Sequence, residues 1–334
     1  MKRNSTIDIL RGIAILAVVL DHAWYLYPQF SITQLWHHTY FSIPWFIFLS
    51  GMTNSLSLEK HQFSLKIRSY LLFLLKRVTI LIPYVLTCLA IFFLQHYPDL
   101  NWNQWIHDVL YFSIQPTYYY VNLILQLYLI VPVLYTAVKH TWNTRFMPVL
   151  ITIILILTGI SVWIGVPPWP FSPAARLFGG IYLSVFFLGM LFSKPTVQKN
   201  GKLFMASVII FLISEGILLG TNAGLPGFAQ TFLFNLWAIS LIVVMFMFFN
   251  TYSKLTRFMS FFSILGKHSY IIYLFHFFIL QTLARYFSIL SFPIFAGIMV
   301  LSILMPLVIS VVYSEVAKLF YFPIKSFVSK IVAL

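Results

Sequence analysis

The sequence predicts an all-α polytopic membrane protein of about ten transmembrane helices, with both termini cytoplasmic. Hydrophobic residues make up 60% of the 334 positions and charged residues only 8%, with a mean hydropathy of +0.91. That balance is far from the one soluble domains keep. Apolar runs of about 20 residues, long enough to cross a hydrocarbon core, recur at 6–27, 38–58, 71–95, 118–138, 146–165, 176–193, 203–220, 230–249, 268–287 and 292–313. Finally, 16 of the 21 Lys and Arg residues fall in alternate connections, beginning with Lys2 and Arg3 and ending with Lys318, Lys325 and Lys330. This is the positive-inside pattern, and it accounts for a net charge of +14 without a nucleic-acid partner. Connections are short, so residues 1–334 read as a single integral-membrane domain.

The first span, Thr6–Tyr27, carries Asp8, Arg11, Asp21 and His22. Ionised side chains cost roughly 2.5–3.5 kcal/mol deep in a span, so they are paired and often functional. At about 100° per residue Arg11 and His22 share a face, about 16 Å apart along the axis, with Asp8 close to that face. Asp21 points about 100° away from His22 and is poorly placed to orient its ring. The second span holds Trp45-Phe-Ile-Phe-Leu-Ser50-Gly51, where Ser50 and Gly51 suit either a site or close helix packing. The third contains Lys76 and Arg77 and starts near Leu71, burying both, or near Val78, leaving both at the cytoplasmic interface. Cys88 lies within it as a packing residue and, being the only cysteine, excludes an intrachain disulfide.

The fourth span reads Tyr128-Leu-Ile-Val-Pro132 and the sixth Phe186-Phe-Leu-Gly189-Met190. Glu215 is isolated in the seventh and is expected inside the bundle, as a neutral acid or an ion-pair partner. The ninth reads His268-Ser269-Tyr270-Ile-Ile-Tyr273-Leu274-Phe-His276, placing His276 roughly 13 Å beyond Lys267, in a cavity or in packing. Residues 315–334 alternate apolar residues with lysines and read as a cytoplasmic interfacial helix. Aromatics crowd the outer connections (Trp102, Trp105, Tyr118–Tyr120, Trp163, Trp169), as sugar-stacking rings or as an interface belt. His37-His38 is an adjacent pair without further ligands, so no metal centre is expected.

These segments, in this order, resemble the acyltransferase-3 family of ten-helix membrane acyltransferases, many of which O-acylate cell-envelope polysaccharides. The resemblance covers nearly the whole chain. It implies that Arg11 and His22 occupy the family's functional positions. It departs from the family at Ile80, where many members carry a second arginine three residues after the first. On this reading Arg11 anchors a cytoplasmic acyl-CoA, or pairs with Asp8, while the thioester reaches His22. His22 serves as general base or as acyl carrier. Lys76 and Arg77 suit coenzyme A phosphates, and Ser50 suits the acyl carbonyl. Glu215 and His276 are further candidates. No permanently bound cofactor is expected; acetyl-CoA or another acyl-CoA enters as donor substrate. The expected partners are the lipid bilayer, an envelope glycan and the polysaccharide biosynthesis machinery, in a bacterial plasma membrane. The competing class is an exporter of a glycan or lipid-linked intermediate, disfavoured by the lack of repeated halves and of matching broken helices.

Overall fold

The computed structural model describes residues 4–30, 36–163, 168–169, 172–176, 180, 182–221, 227–252, 254–287 and 291–333, by backbone alone at 36–37, 161–163, 168–169, 172–176, 227–228, 231 and 317–333. Helix dominates. α1 (Ser5–Leu26) starts where the Asn4 side chain accepts from the Thr6 backbone N–H at 2.9 Å, supplying one of the donors that a helix N-terminus leaves unpaired. α2 (Ser42–Lys60) returns and is followed by α3 (Ile67–Val78), α4 (Leu81–His96) and α5 (Trp102–Tyr111). α6 (Tyr119–Thr141), α7 (Met147–Trp163), the short antiparallel ribbon β1 (Pro168–Trp169) and β2 (Ser172–Arg176), and α8 (Tyr182–Leu191) follow. The chain ends with α9 (Pro195–Gln198), α10 (Gly201–Thr221), α11 (Gly227–Thr251), α12 (Leu255–Phe258), α13 (Ser260–Tyr286) and α14 (Phe292–Ala333).

Among the described residues, seven helices are long and apolar enough to cross a membrane, with α3 and α4 together forming one of them. α2, α7 and α8 occupy the other three expected positions without meeting that length and apolarity. α8 is the shortest of these, about 15 Å at 1.5 Å per residue. The run read as a span from residue 176 is extended to Arg176 and becomes helical only at Tyr182. The third expected span is also broken. Pro83 has no N–H to give the Thr79 carbonyl, which accepts instead from Ile82 at 3.2 Å, while the Ile80 N–H bonds Arg77 O at 3.1 Å. The helix therefore starts earlier than either placement expected, and Lys76 and Arg77 fall in the last turn of α3. Residues 315–333 continue α14 as helix.

Two glycine-mediated contacts organise the bundle. α1 and α13 run parallel, with Gly12 against the Phe262 carbonyl and Gly266 against the Asp8 carbonyl at one end, and His22 beside His276 further along. α2 and α8 are also parallel: Gly51 meets the Phe186 carbonyl and Gly189 that of Phe48, and beyond them Ser55 Oγ lies 2.9 Å from Ser193 Oγ. At the end of α2, Lys194 Nζ lies 2.9 Å from Glu59 Oε1. Only residues without a Cβ allow backbones this close, and in lipid such packing replaces the hydrophobic drive between helices. α6 packs on α2, α3, α7 and α8, and α14 is held to α13 by a 2.9 Å hydrogen bond between His268 Nδ1 and Ser310 Oγ.

Candidate active site

The break between α3 and α4 opens one wall of a cavity of about 810 Å³, within the usual range for small-molecule sites. Its lining brings together four cations from three helices: Arg11 of α1, Lys76 and Arg77 of α3, and Lys267 of α13. No acidic side chain stands among the described lining residues. Arg11 Nη2 donates to Thr53 Oγ1 at 3.3 Å, and Thr53 in turn donates to the Leu49 carbonyl at 2.8 Å. The Arg77 guanidinium lies 5.1 Å from the Phe73 ring centre and 5.5 Å from that of Tyr128. These rings hold its plane by cation–π attraction, while its buried Nε has no hydrogen-bond partner. Tyr270 donates to the Ile80 carbonyl at 2.9 Å, tying the break to α13.

Ser50 lines the same cavity. Its carbonyl accepts from Asn54 Nδ2 at 2.8 Å, and the buried Asn54 Oδ1 is left without a partner. Phe46, Tyr120 and Tyr273 line it as well, the two tyrosine rings lying 5.3 Å apart. Tyr273 donates to the Thr117 carbonyl, fixing its ring against the turn that leads into α6.

His22 is not in that lining. It sits beyond Tyr273, in a second polar group formed by α1 and α13. Its ring centre is 5.2 Å from that of His276 and 5.1 Å from that of Phe277, whose ring is turned 70° to it. His276 is fully buried, and its ring centre is 5.8 Å from that of Tyr273. His276 Nδ1 donates to the Tyr273 carbonyl at 2.6 Å, and its Nε2 is buried without a partner. Asp21 accepts from Thr39 Oγ1 at 2.7 Å.

Of the residues singled out in the sequence, the structure gathers Arg11, Ser50, Lys76 and Arg77 at one cavity and places His22 with His276 behind it. Asp8 is buried in the first turn of α1, with its carbonyl against Gly266 and its side chain outside the cavity lining. Glu215 lies apart from both groups, 2.8 Å from His38 Nε2 across the gap between α10 and the turn before α2. This contact gives Glu215 a hydrogen-bonding partner from another segment. Lys267, Tyr270 and Tyr273 were not assigned to the site from sequence. Their spacing of three residues, which stacks side chains on one helix face, was the available signal. The side chains of Trp163 and Trp169 lie outside the described residues.

A family model described as an acyltransferase domain matches residues 4–314, nearly the whole chain. No curated protein and no solved structure gives a significant match. With a match of that extent, the helical bundle and its cationic cavity are those of a member of the acyltransferase-3 family.

Proposed function

We propose that this protein is a multi-pass O-acyltransferase of a bacterial plasma membrane. It moves an acyl group, acetyl first among them, from cytoplasmic acyl-CoA to a hydroxyl of an envelope glycan. The carrying observation is the cavity that joins Arg11, Lys76, Arg77 and Lys267 with no acid among its described lining residues, and at which Arg77 Nε is a buried donor without a hydrogen-bond partner. An unmet buried donor in a cationic pocket is what a phosphate-bearing ligand satisfies, and guanidinium groups meet phosphate in a two-pronged geometry. The alternating lysine and arginine clusters support a ten-span path with cytoplasmic termini. In that path spans one and nine run the same way, as do two and six, in keeping with the parallel α1/α13 and α2/α8 pairs.

The chemistry then follows the axis of α1. Coenzyme A phosphates sit among the four cations, and the pantetheine arm runs past Ser50 and the Tyr120–Tyr273 pair toward His22, about 16 Å from Arg11 at 1.5 Å per residue. His22 takes the proton of the acceptor hydroxyl as its oxygen bonds the acyl carbonyl carbon. The carbon–sulfur bond breaks, and the proton passes to the departing thiolate. Such general base catalysis contributes about 10²–10⁴-fold.

The test is transfer of labelled acetyl from acetyl-CoA to envelope glycan by purified protein in lipid. Wild type is compared with His22→Ala and Arg77→Ala. The reading expects transfer lost in His22→Ala with coenzyme A still bound, and weakened donor binding in Arg77→Ala. Transfer that persists in His22→Ala removes that residue from the chemistry. Wild type that neither binds nor turns over any acyl-CoA removes the function.

A further inference from the structure

We infer that His276 is the positioning partner of His22: its Nε2 accepts the N–H of His22 and so presents the other His22 nitrogen as the base. The inference rests on the reading of His22 as the proton acceptor in transfer. It begins with a tautomer. A backbone carbonyl only accepts, so at 2.6 Å from the Tyr273 oxygen His276 Nδ1 must carry the hydrogen. In the neutral ring, Nε2 is then a bare acceptor. That acceptor is buried and has no partner, while the ring holding it is fully buried and 5.2 Å, centre to centre, from His22. On this inference the His22 ring turns about its last torsion to bring a nitrogen toward that acceptor, as catalytic hydrogen bonds often tighten only when substrate binds.

Two further contacts support the assignment. Asp21, the only carboxylate adjacent to His22 in sequence, is engaged by Thr39. Phe277 packs edge-on against His22, its ring turned 70° to the imidazole. Were the contact only packing, a buried imidazole with an unmet nitrogen would be a poor filler, because an apolar side chain fills the space without stranding an acceptor.

During transfer, the hydroxyl proton bonds to the free His22 nitrogen as the hydroxyl oxygen bonds the acyl carbon, and the carbon–sulfur bond then breaks to release the thiolate. His22 is then doubly protonated, with one N–H held on His276 Nε2 and the other directed at the leaving sulfur. The second proton goes to the thiolate, and both rings return to their starting tautomers. No proton leaves the pair toward Tyr273, whose carbonyl only accepts.

The experiment measures kcat, the KM for acetyl-CoA and equilibrium binding of coenzyme A for His276→Gln, His276→Phe and His276→Met, with His22→Ala beside them. Glutamine puts an oxygen acceptor close to the position of Nε2; phenylalanine and methionine fill the space without one. The expected result is a kcat lowered about 10–100-fold in the Phe and Met variants, as for other groups that orient a reacting imidazole. KM and coenzyme A binding are unchanged, and Gln recovers most of kcat. The double variant of His22→Ala and His276→Phe should be no slower than His22→Ala alone, since residues acting as one unit are non-additive. Methionine stands in if the phenylalanine variant does not fold. A wild-type kcat in either apolar variant overturns the inference. So does a Gln variant as slow as they are, or one that loses coenzyme A binding along with kcat. Activity surviving in His22→Ala overturns the underlying reading instead, whatever His276 does.

Discussion

Replacing Gly266 with alanine tests the contact on which the α1–α13 pair depends. A Cβ there overlaps the Asp8 carbonyl oxygen and comes within 2.7 Å of its carbon and 3.0 Å of the Gly12 nitrogen. Carbon–carbon contact begins at roughly 3.5 Å, so the two backbones must separate by roughly 1 Å along a rigid interface. Overpacking of this kind costs about 1–3 kcal/mol, against a helix-propensity gain for alanine of up to ~1 kcal/mol. Gly12→Ala should behave alike, because its Cβ meets the Phe262 carbonyl carbon at 2.6 Å. Gly216 and Gly220 on α10 provide the control, since nothing lies within 4 Å of a Cβ at either. Those alanines should be neutral or slightly stabilising. The assay is thermal unfolding of purified protein in one detergent, followed by acyl transfer on the folded fraction. Gly266→Ala and Gly12→Ala should melt below wild type and lose transfer, as the helices holding His22 and His276 part. If they melt as high as Gly216→Ala and Gly220→Ala, the close approach of α1 and α13 is not what holds this end of the bundle.

Arg77→Ala should raise the KM for acetyl-CoA by about tenfold or more, because a charge-assisted hydrogen bond contributes about 1.5–3 kcal/mol and 1.4 kcal/mol is tenfold. Added salt should weaken coenzyme A binding in wild type more than in this variant; equal salt sensitivity would place the phosphates elsewhere. His22→Ala should lower transfer about 10²–10⁴-fold with donor binding intact, checked by titrating labelled coenzyme A. Outside the membrane-spanning helices, Asp108 on α5 is partly buried, which alone would raise its pKa. Hydrogen bonds from Gln104 at 2.9 Å, Ser113 at 2.8 Å and His107 at 3.3 Å prevail and hold it below the ordinary value. Its folded-state pKa is thus depressed, so its stabilisation is complete above the unfolded pKa, near 3.9, and fades as pH falls through the folded one. Hydrogen-exchange protection at the Ser113 turn, corrected for intrinsic rates, should drop below about pH 4 in wild type and be flat with pH in Asp108→Asn. Protection that is pH-independent in wild type would refute it.

What the sequence revealed was what a single helix period carries. Arg11 and His22 stand on one face of α1 because 3.6 residues per turn put them there, and the ordered segments around Trp45, Tyr128 and Tyr270 located the family. What it hid depends on distant pairing. His276 packs beside His22 across 254 positions, and the partner that Glu215 hydrogen-bonds, His38, lies 177 residues away. Lys267 marked the cytoplasmic side in the sequence; only the parallel packing of α13 on α1 turns it into the cavity. The apolar run before Tyr182 is one that periodicity alone cannot assign, and the prolines at 168, 170 and 173 favour the extended backbone found at β1 and β2. The break at Thr79–Ile80 follows from Pro83, a signal present in the chain but outweighed by the apolar run around it.

The parallel α1/α13 pair also fixes an order of events during synthesis. Gly266 is made 254 residues after Gly12, which at about 5–20 residues per second is roughly 13–50 s. Over that interval α1 lies in the bilayer with Asp8, Arg11 and His22 on a surface that its main partner has yet to cover. α2, whose Thr53 accepts from Arg11, follows 42 residues later, in roughly 2–8 s at that rate, and is the earliest shield available. The imidazole pair closes only when about eight-tenths of the chain has been delivered, so a ribosome stalled before residue 260 leaves an inserted protein that lacks both this pair and the α13 wall of the cavity.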